Sequence, residues 1–109
     1  VHRRKVPAIG DLVFFDNTYD RNRDGRLNDP LTHVGIVERV DPDGTVSVIH
    51  HVRRGILRYK LNRFQPKLRR DPGNRKVLNH YLRVVPRGSK RRERRLTGEL
   101  FHSFATIIR

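Results

Sequence analysis

The stretch Thr32-His33-Val34-Gly35-Ile36-Val37-Glu38-Arg39-Val40, then Asp41-Pro42-Asp43-Gly44, then Thr45-Val46-Ser47-Val48-Ile49-His50-His51-Val52 reads as a hairpin with a histidine near the far end of each strand. The arms are rich in β-branched residues, which favours strands. Proline second and glycine fourth in the connecting tetrapeptide suit a type I turn. If residues 41–44 form the whole loop, Val40 pairs with Thr45. His50 then falls opposite Gly35, one diagonal step from His33 on the same face. If Gly44 instead adopts a left-handed bulge conformation, Asp41 pairs with Thr45 and His51 takes that place. The second register gathers Val34, Ile36, Val40, Val46, Val48 and Val52 on one face. Spacing alone leaves the partner of His33 open between His50 and His51. A cross-strand diagonal of roughly 7–8 Å is within side-chain reach. An imidazole held beside a second polar group suits acid–base work near neutral pH.

Outward from the hairpin, residues 11–15 (Asp-Leu-Val-Phe-Phe) read as a short buried strand. Residues 16–31 are polar and read as a loop. Residues 55–61 alternate apolar Leu57, Tyr59 and Leu61 with charged Arg58 and Lys60, the pattern of a half-exposed strand. Residues 62–76 contain Pro66 and Asp71-Pro72-Gly73 and read as a loop. Residues 77–85 are β-branched and apolar enough for another strand. The tail carries Leu96, Leu100, Phe101, Phe104, Ala105 and Ile108, a stripe that predicts a C-terminal helix over 96–109. Roughly five short strands and a final helix predict an α+β domain built on a mostly antiparallel sheet.

The chain has 109 residues, so it is one domain at most. Its hydrophobic fraction of 35% allows only a modest core. The net charge of +14 suggests an acidic partner: nucleic acid, an anionic envelope polymer or a membrane surface. No apolar run approaches the ~20 residues of a membrane span, and no signal peptide is visible. There is no cysteine, which excludes disulfides, thiolate metal sites and a thiol nucleophile on these residues.

Three segments together carry a resemblance: Gly10-Asp11-Leu12-Val13-Phe14-Phe15, His33-Val34-Gly35-Ile36-Val37-Glu38 and Asp43-Gly44-Thr45-Val46-Ser47-Val48. They resemble the second half of a CHAP domain, a cysteine, histidine-dependent amidohydrolase/peptidase related to the bacterial NlpC-type cell-wall peptidases. The resemblance covers roughly residues 7–61. It implies a papain-like fold in which a helix bearing the nucleophilic cysteine packs on the sheet bearing the histidine. It implies His33 as catalytic base and acid, and His50 as the residue orienting it. It implies peptidoglycan or its peptides as substrate and a secreted, periplasmic or cell-envelope location. The family's cysteine lies N-terminal to the first of these strands, and no such helix is present in this chain. A longer parent or a second chain would supply it, or the protein is a degenerate homologue that binds without cutting. A sheet lacking its covering helix is expected to leave an apolar face wet. The isolated 109-residue chain is expected to have no thiol-based activity.

The loop Asp20-Arg21-Asn22-Arg23-Asp24-Gly25-Arg26-Leu27-Asn28 has the rhythm of a calcium loop. Asp20, Asn22 and Asp24 would offer side-chain oxygens, Arg26 its carbonyl, and Asn28 a direct or water-mediated contact. Leu31 stands at the twelfth position, where a bidentate Glu belongs. Residues 86–95 form a basic, exposed segment. It offers non-specific, salt-sensitive attraction to nucleic acid or cell-wall polymer and no base readout. The reading from a different class is therefore a non-catalytic basic module that binds an anionic polymer.

Overall fold

The computed structural model describes residues 2–4, 6–18, 30–52, 55–83 and 95–106. Among the described residues eight strands and one short helix run in chain order: β1 (His2–Arg4), β2 (Leu12–Phe15), β3 (His33–Val40), β4 (Val46–Val52), β5 (Gly55–Leu61), β6 (Tyr81–Arg83), β7 (Arg95–Leu96), α1 (Thr97–Leu100) and β8 (Phe101–Thr106). Six of them make one antiparallel sheet in the order β1-β8-β2-β3-β4-β5, and β6 and β7 pair separately. The antiparallel sheet expected from the sequence is present.

Alternation along the strands sorts side chains onto two faces. One face carries Val13, Phe15, Val37, Val46, Val48, Leu61 and Phe104, all buried, and Leu100 joins them from α1. Leu82 and Phe101 pack against this cluster. His33 and His50 belong to the same face, because His33 pairs with Phe15 and the register of β3 on β4 continues to them. The opposite face is the wet one. Val34, Ile36 and Ile56 are largely exposed there. They line a shallow concavity of about 320 Å³ with Leu12, Ile49 and His51.

The hairpin uses both registers, the bulged one beside the turn and the other beyond Glu38. Asp41 N–H donates to the Thr45 carbonyl, and Val40 pairs with Val46. Gly44 sits at φ 89°, the left-handed conformation a bulged turn needs. Further along, the register shifts between Val37 and Arg39, leaving Glu38 as an extra residue. Beyond that bulge Ile36 pairs with Ile49, so His50 stands opposite Gly35. Gly35 is required there for space. A Cβ on it would lie 2.4 Å from Val48 Cγ1, 3.1 Å from the Ile49 carbonyl and 3.4 Å from His50 Cβ.

Three expectations need correction. The tail is not a helix over 96–109: α1 is four residues long, and the chain continues as β8. Phe101–Thr106 is aromatic, hydroxylated and β-branched, a weak helix former. As β8 it lies between β1 and β2, so both sides of its backbone find partners. Phe104 and Ala105 are buried by that position, not by a helical stripe. Of the strand expected over 77–85, the described residues 77–83 form a single bridge at Val77 and the three residues of β6. Residues 1–10, basic and ending in Pro7-Ala8-Ile9-Gly10, read from sequence as a turn-like lead-in, yet residues 2–4 form β1. The basic segment 86–95 lies outside the described residues except Arg95.

A buried polar cluster ties the 62–80 loop to β5 and α1. Asn79, fully buried, accepts at Oδ1 from Asn62 N–H (2.8 Å) and donates its amide to the carbonyls of Gln65 (2.9 Å) and Leu68 (2.8 Å). The Thr97 hydroxyl donates to the Lys60 carbonyl at 2.6 Å. Gly98 allows the close approach: a Cβ there would meet Pro66 Cα at 2.6 Å. This cluster fixes His80, whose Nδ1 accepts from Lys60 N–H at 2.8 Å.

Candidate active site

His33 and His50 meet. His33 Nε2 and His50 Nδ1 are 2.7 Å apart, and the rings stand nearly perpendicular at 84° with centroids 4.9 Å apart. That distance is a short hydrogen bond between imidazoles. His51 points to the other face and is exposed, so the strand bulge at Glu38 selects His50.

The pair sits in a row of rings across the sheet. Phe15 lies 6.2 Å from His33, Tyr59 lies 4.1 Å from His50 at 66°, and His80 stacks on Tyr59 at 5.4 Å and 29°. The row follows from the pairings of β2 with β3 and of β4 with β5. Val48 pairs with Tyr59 and His50 with Leu57, so Tyr59 is diagonal to His50 on the same face. His33 is half-buried, at the end of its strand, whereas His50 is only 4% exposed. His50 Nε2 is buried with no hydrogen-bond partner among the described residues. His50 lines a small space with Phe15, Val48, Tyr59, Leu82 and Thr97.

Burial governs the electrostatics. It pulls the His33 imidazole below its ordinary proton affinity. Burial pushes His50 down to about 4, with help from the nearby His33 and His80. His80 is lowered by burial first and then by the neighbouring Arg69, Lys60 and Arg70. All three imidazoles are therefore neutral at pH 7. In such a pair one ring donates and the other accepts, and the buried ring fixes the orientation of the outer one. A half-exposed neutral imidazole held this way can accept a proton from a nucleophile and return it to a leaving amine.

The calcium candidates Asp20, Asn22, Asp24, Arg26 and Asn28 lie outside the described residues. The base of their loop is described, and it is closed. Thr18 N–H and hydroxyl both reach Thr32 Oγ1, at 2.8 and 2.7 Å, and Leu31 N–H donates to Asp16 Oδ1 at 2.8 Å. Leu31, at the twelfth position, adopts φ 52°. Among the described residues no three His, Asp or Glu side chains gather as a metal site would require. Among them, too, no helix is long and apolar enough to cross a membrane.

Two members of the ring row were missed from sequence. Tyr59 was read only as one apolar position in an alternating strand. The register of β4 on β5, with Val48 opposite Tyr59, is what places it beside His50. His80 carries no local signal, because it reaches the row through the 62–80 loop.

Comparison with protein-family models, with curated proteins and with solved structures finds no match for this chain.

Proposed function

We propose that this domain is the histidine-bearing, papain-like sheet half of a peptidoglycan amidase or endopeptidase of the CHAP or NlpC type. One observation carries the reading: the 2.7 Å contact that places a buried imidazole behind a half-exposed one. His33 acts as base and acid, and His50 orients it. The thiol that attacks the amide carbon comes from outside these 109 residues, from another segment of the parent protein or from a second chain. It approaches the histidine face beside His33. His33 takes the thiol proton, and the thiolate adds to the carbonyl carbon. The imidazolium then protonates the leaving amine as the C–N bond breaks, and water releases the acyl group by the reverse proton path. A secreted or cell-envelope location belongs to the same reading.

Calcium enters through the spacing of Asp20, Asn22, Asp24, Arg26 and Asn28, whose oxygens would hold the ion. It would brace the loop that leads into His33 and take no part in the chemistry. Titration calorimetry with millimolar calcium at neutral pH should show binding heat, and none would remove the ion from this account.

The decisive assay uses the parent protein, with the cysteine-bearing segment present, on purified peptidoglycan. Release of new amino termini, abolished by His33→Ala and sharply reduced by His50→Ala, is the expected result. No cleavage by a folded protein that contains the thiol would overturn the proposal. The charge of +14 favours the second reading, a non-catalytic module on an anionic polymer. Retention on heparin or DNA that falls steeply with salt, without wall cleavage, is its signature.

A further inference from the structure

Two neutral imidazoles joined by one hydrogen bond have two proton arrangements. In the first, His33 Nε2–H donates to His50 Nδ1, the His50 proton sits on Nε2, and His33 keeps a lone pair on Nδ1. In the second, His50 Nδ1–H donates to His33 Nε2, His50 Nε2 is bare, and His33 carries its proton on Nδ1. Only the first leaves His33 Nδ1 as a base, and the 2.7 Å distance is compatible with either.

The environment of His50 Nε2 distinguishes them. The two nitrogens of an imidazole diverge, so a ring whose Nδ1 meets His33 turns its Nε2 away from that contact. Nδ1 is taken up by His33 on β3, and on the β5 side the Tyr59 ring lies 4.1 Å from the His50 ring at 66°. An aromatic face is electron-rich, so it attracts an N–H and repels a nitrogen lone pair. No other acceptor reaches this buried nitrogen among the described residues.

We propose that Tyr59 is a positioning residue that sets the proton arrangement of the pair. Its ring face receives the His50 Nε2–H, which obliges His50 Nδ1 to accept from His33 Nε2–H and leaves the His33 Nδ1 lone pair as the base. The role belongs to the ring and not to the hydroxyl. It rests on the reading of His33 as the base, yet its test needs no substrate and no thiol.

The test is long-range nitrogen–proton correlation on protein labelled at histidine with nitrogen-15, at pH 7.5, where tautomers are read directly. The wild-type protein should show both His33 and His50 protonated on Nε2. Tyr59→Phe should keep that pattern. Tyr59→Leu should raise the Nδ1–H share of His33 about two- to fivefold, the size of one weak N–H···π contact. A wild-type His33 protonated on Nδ1 would overturn the proposal even if Tyr59→Leu fails to fold. So would a folded Tyr59→Leu variant with unchanged tautomers. Failure of the peptidoglycan assay beside the expected spectra would instead refute the hydrolase reading alone.

Discussion

Lowering the pH from 7 to 5 is expected to destabilise the fold by about 2 kcal/mol through His50 alone. In the native state burial, then His33 and His80, push this imidazole down to about 4. In the unfolded chain it titrates near 6.5. Above 6.5 neither state holds the proton, and the full stability is present. As the pH falls below 6.5, the unfolded chain takes up the proton and the native state does not. Stability is lost until the pH approaches 4, where the native ring also charges. The linkage relation gives a loss of about 2 kcal/mol at pH 5 against about 0.2 kcal/mol at pH 7. For a domain of this size that lowers Tm by roughly 7–15 °C. His33 and His80, lowered mainly by burial, add losses of the same sign. The Asp41 carboxylate, held low by Lys76, weakens the fold only at more acid pH and does not confuse this window. Thermal melts at constant ionic strength at pH 7, 6 and 5 measure the slope, and His50→Gln should flatten it by His50's share. A wild-type Tm that does not change over this range would refute the reasoning. Equal slopes for the two proteins would also refute it.

Other perturbations test the scaffold around the pair. Gly35→Ala places a methyl 2.4 Å from Val48 Cγ1 and should cost about 1–3 kcal/mol in denaturant unfolding. The same variant should also weaken the His33–His50 coupling seen in nitrogen spectra, because β4 must move away from β3. Asn79→Ala strands the Asn62 amide and the Gln65 and Leu68 carbonyls, and a loss of about 3 kcal/mol in urea titration is expected. Phe104→Ala should cost about 3–5 kcal/mol, since this fully buried ring belongs to the sheet core. A mild effect by calorimetry would instead favour a tail docked loosely as a helix.

The hairpin was legible because its information is local. β-branched runs, Pro42 and Gly44 specify two strands and a turn without reference to the rest of the chain. Which histidine faces His33 was not legible from spacing, because a bulge at Glu38 changes the register by one residue and no residue type announces it. The positions that defeated the pattern reading share one cause. Leu96, Leu100 and Phe104 recur at helical spacing, but β1 and β2 offer a strand slot with hydrogen bonds on both sides. That non-local pairing outweighs a weak helical preference. The segment expected over 77–85 fails the other way: its strand-like composition serves a polar loop anchored by Asn79, and among its described residues only Val77, in a single bridge, and Tyr81–Arg83 pair. The apolar face left exposed lies opposite the histidines, whose own face carries the core. The Cys helix implied by the resemblance would have to approach the other side, beside His33.

The use of histidine rather than a carboxylate behind His33 has a physical consequence. At 4% exposure an ionised carboxylate in the place of His50 would carry a heavy desolvation cost. Its charge would also hold His33 in the imidazolium form at rest, since an opposite charge at hydrogen-bond distance raises the affinity for a proton. A neutral imidazole avoids both effects. It can donate or accept at the same nitrogen, so it leaves the outer ring uncharged at neutral pH. The proton arrangement must then come from elsewhere, because a neutral pair has no intrinsic preference of the kind an anion imposes. In this fold the buried side of His50 is met by an aromatic ring and not by a hydrogen-bond acceptor. The orientation of the pair is therefore a property of the β4–β5 register that brings Tyr59 to it, just as the contact itself is a property of the bulge at Glu38.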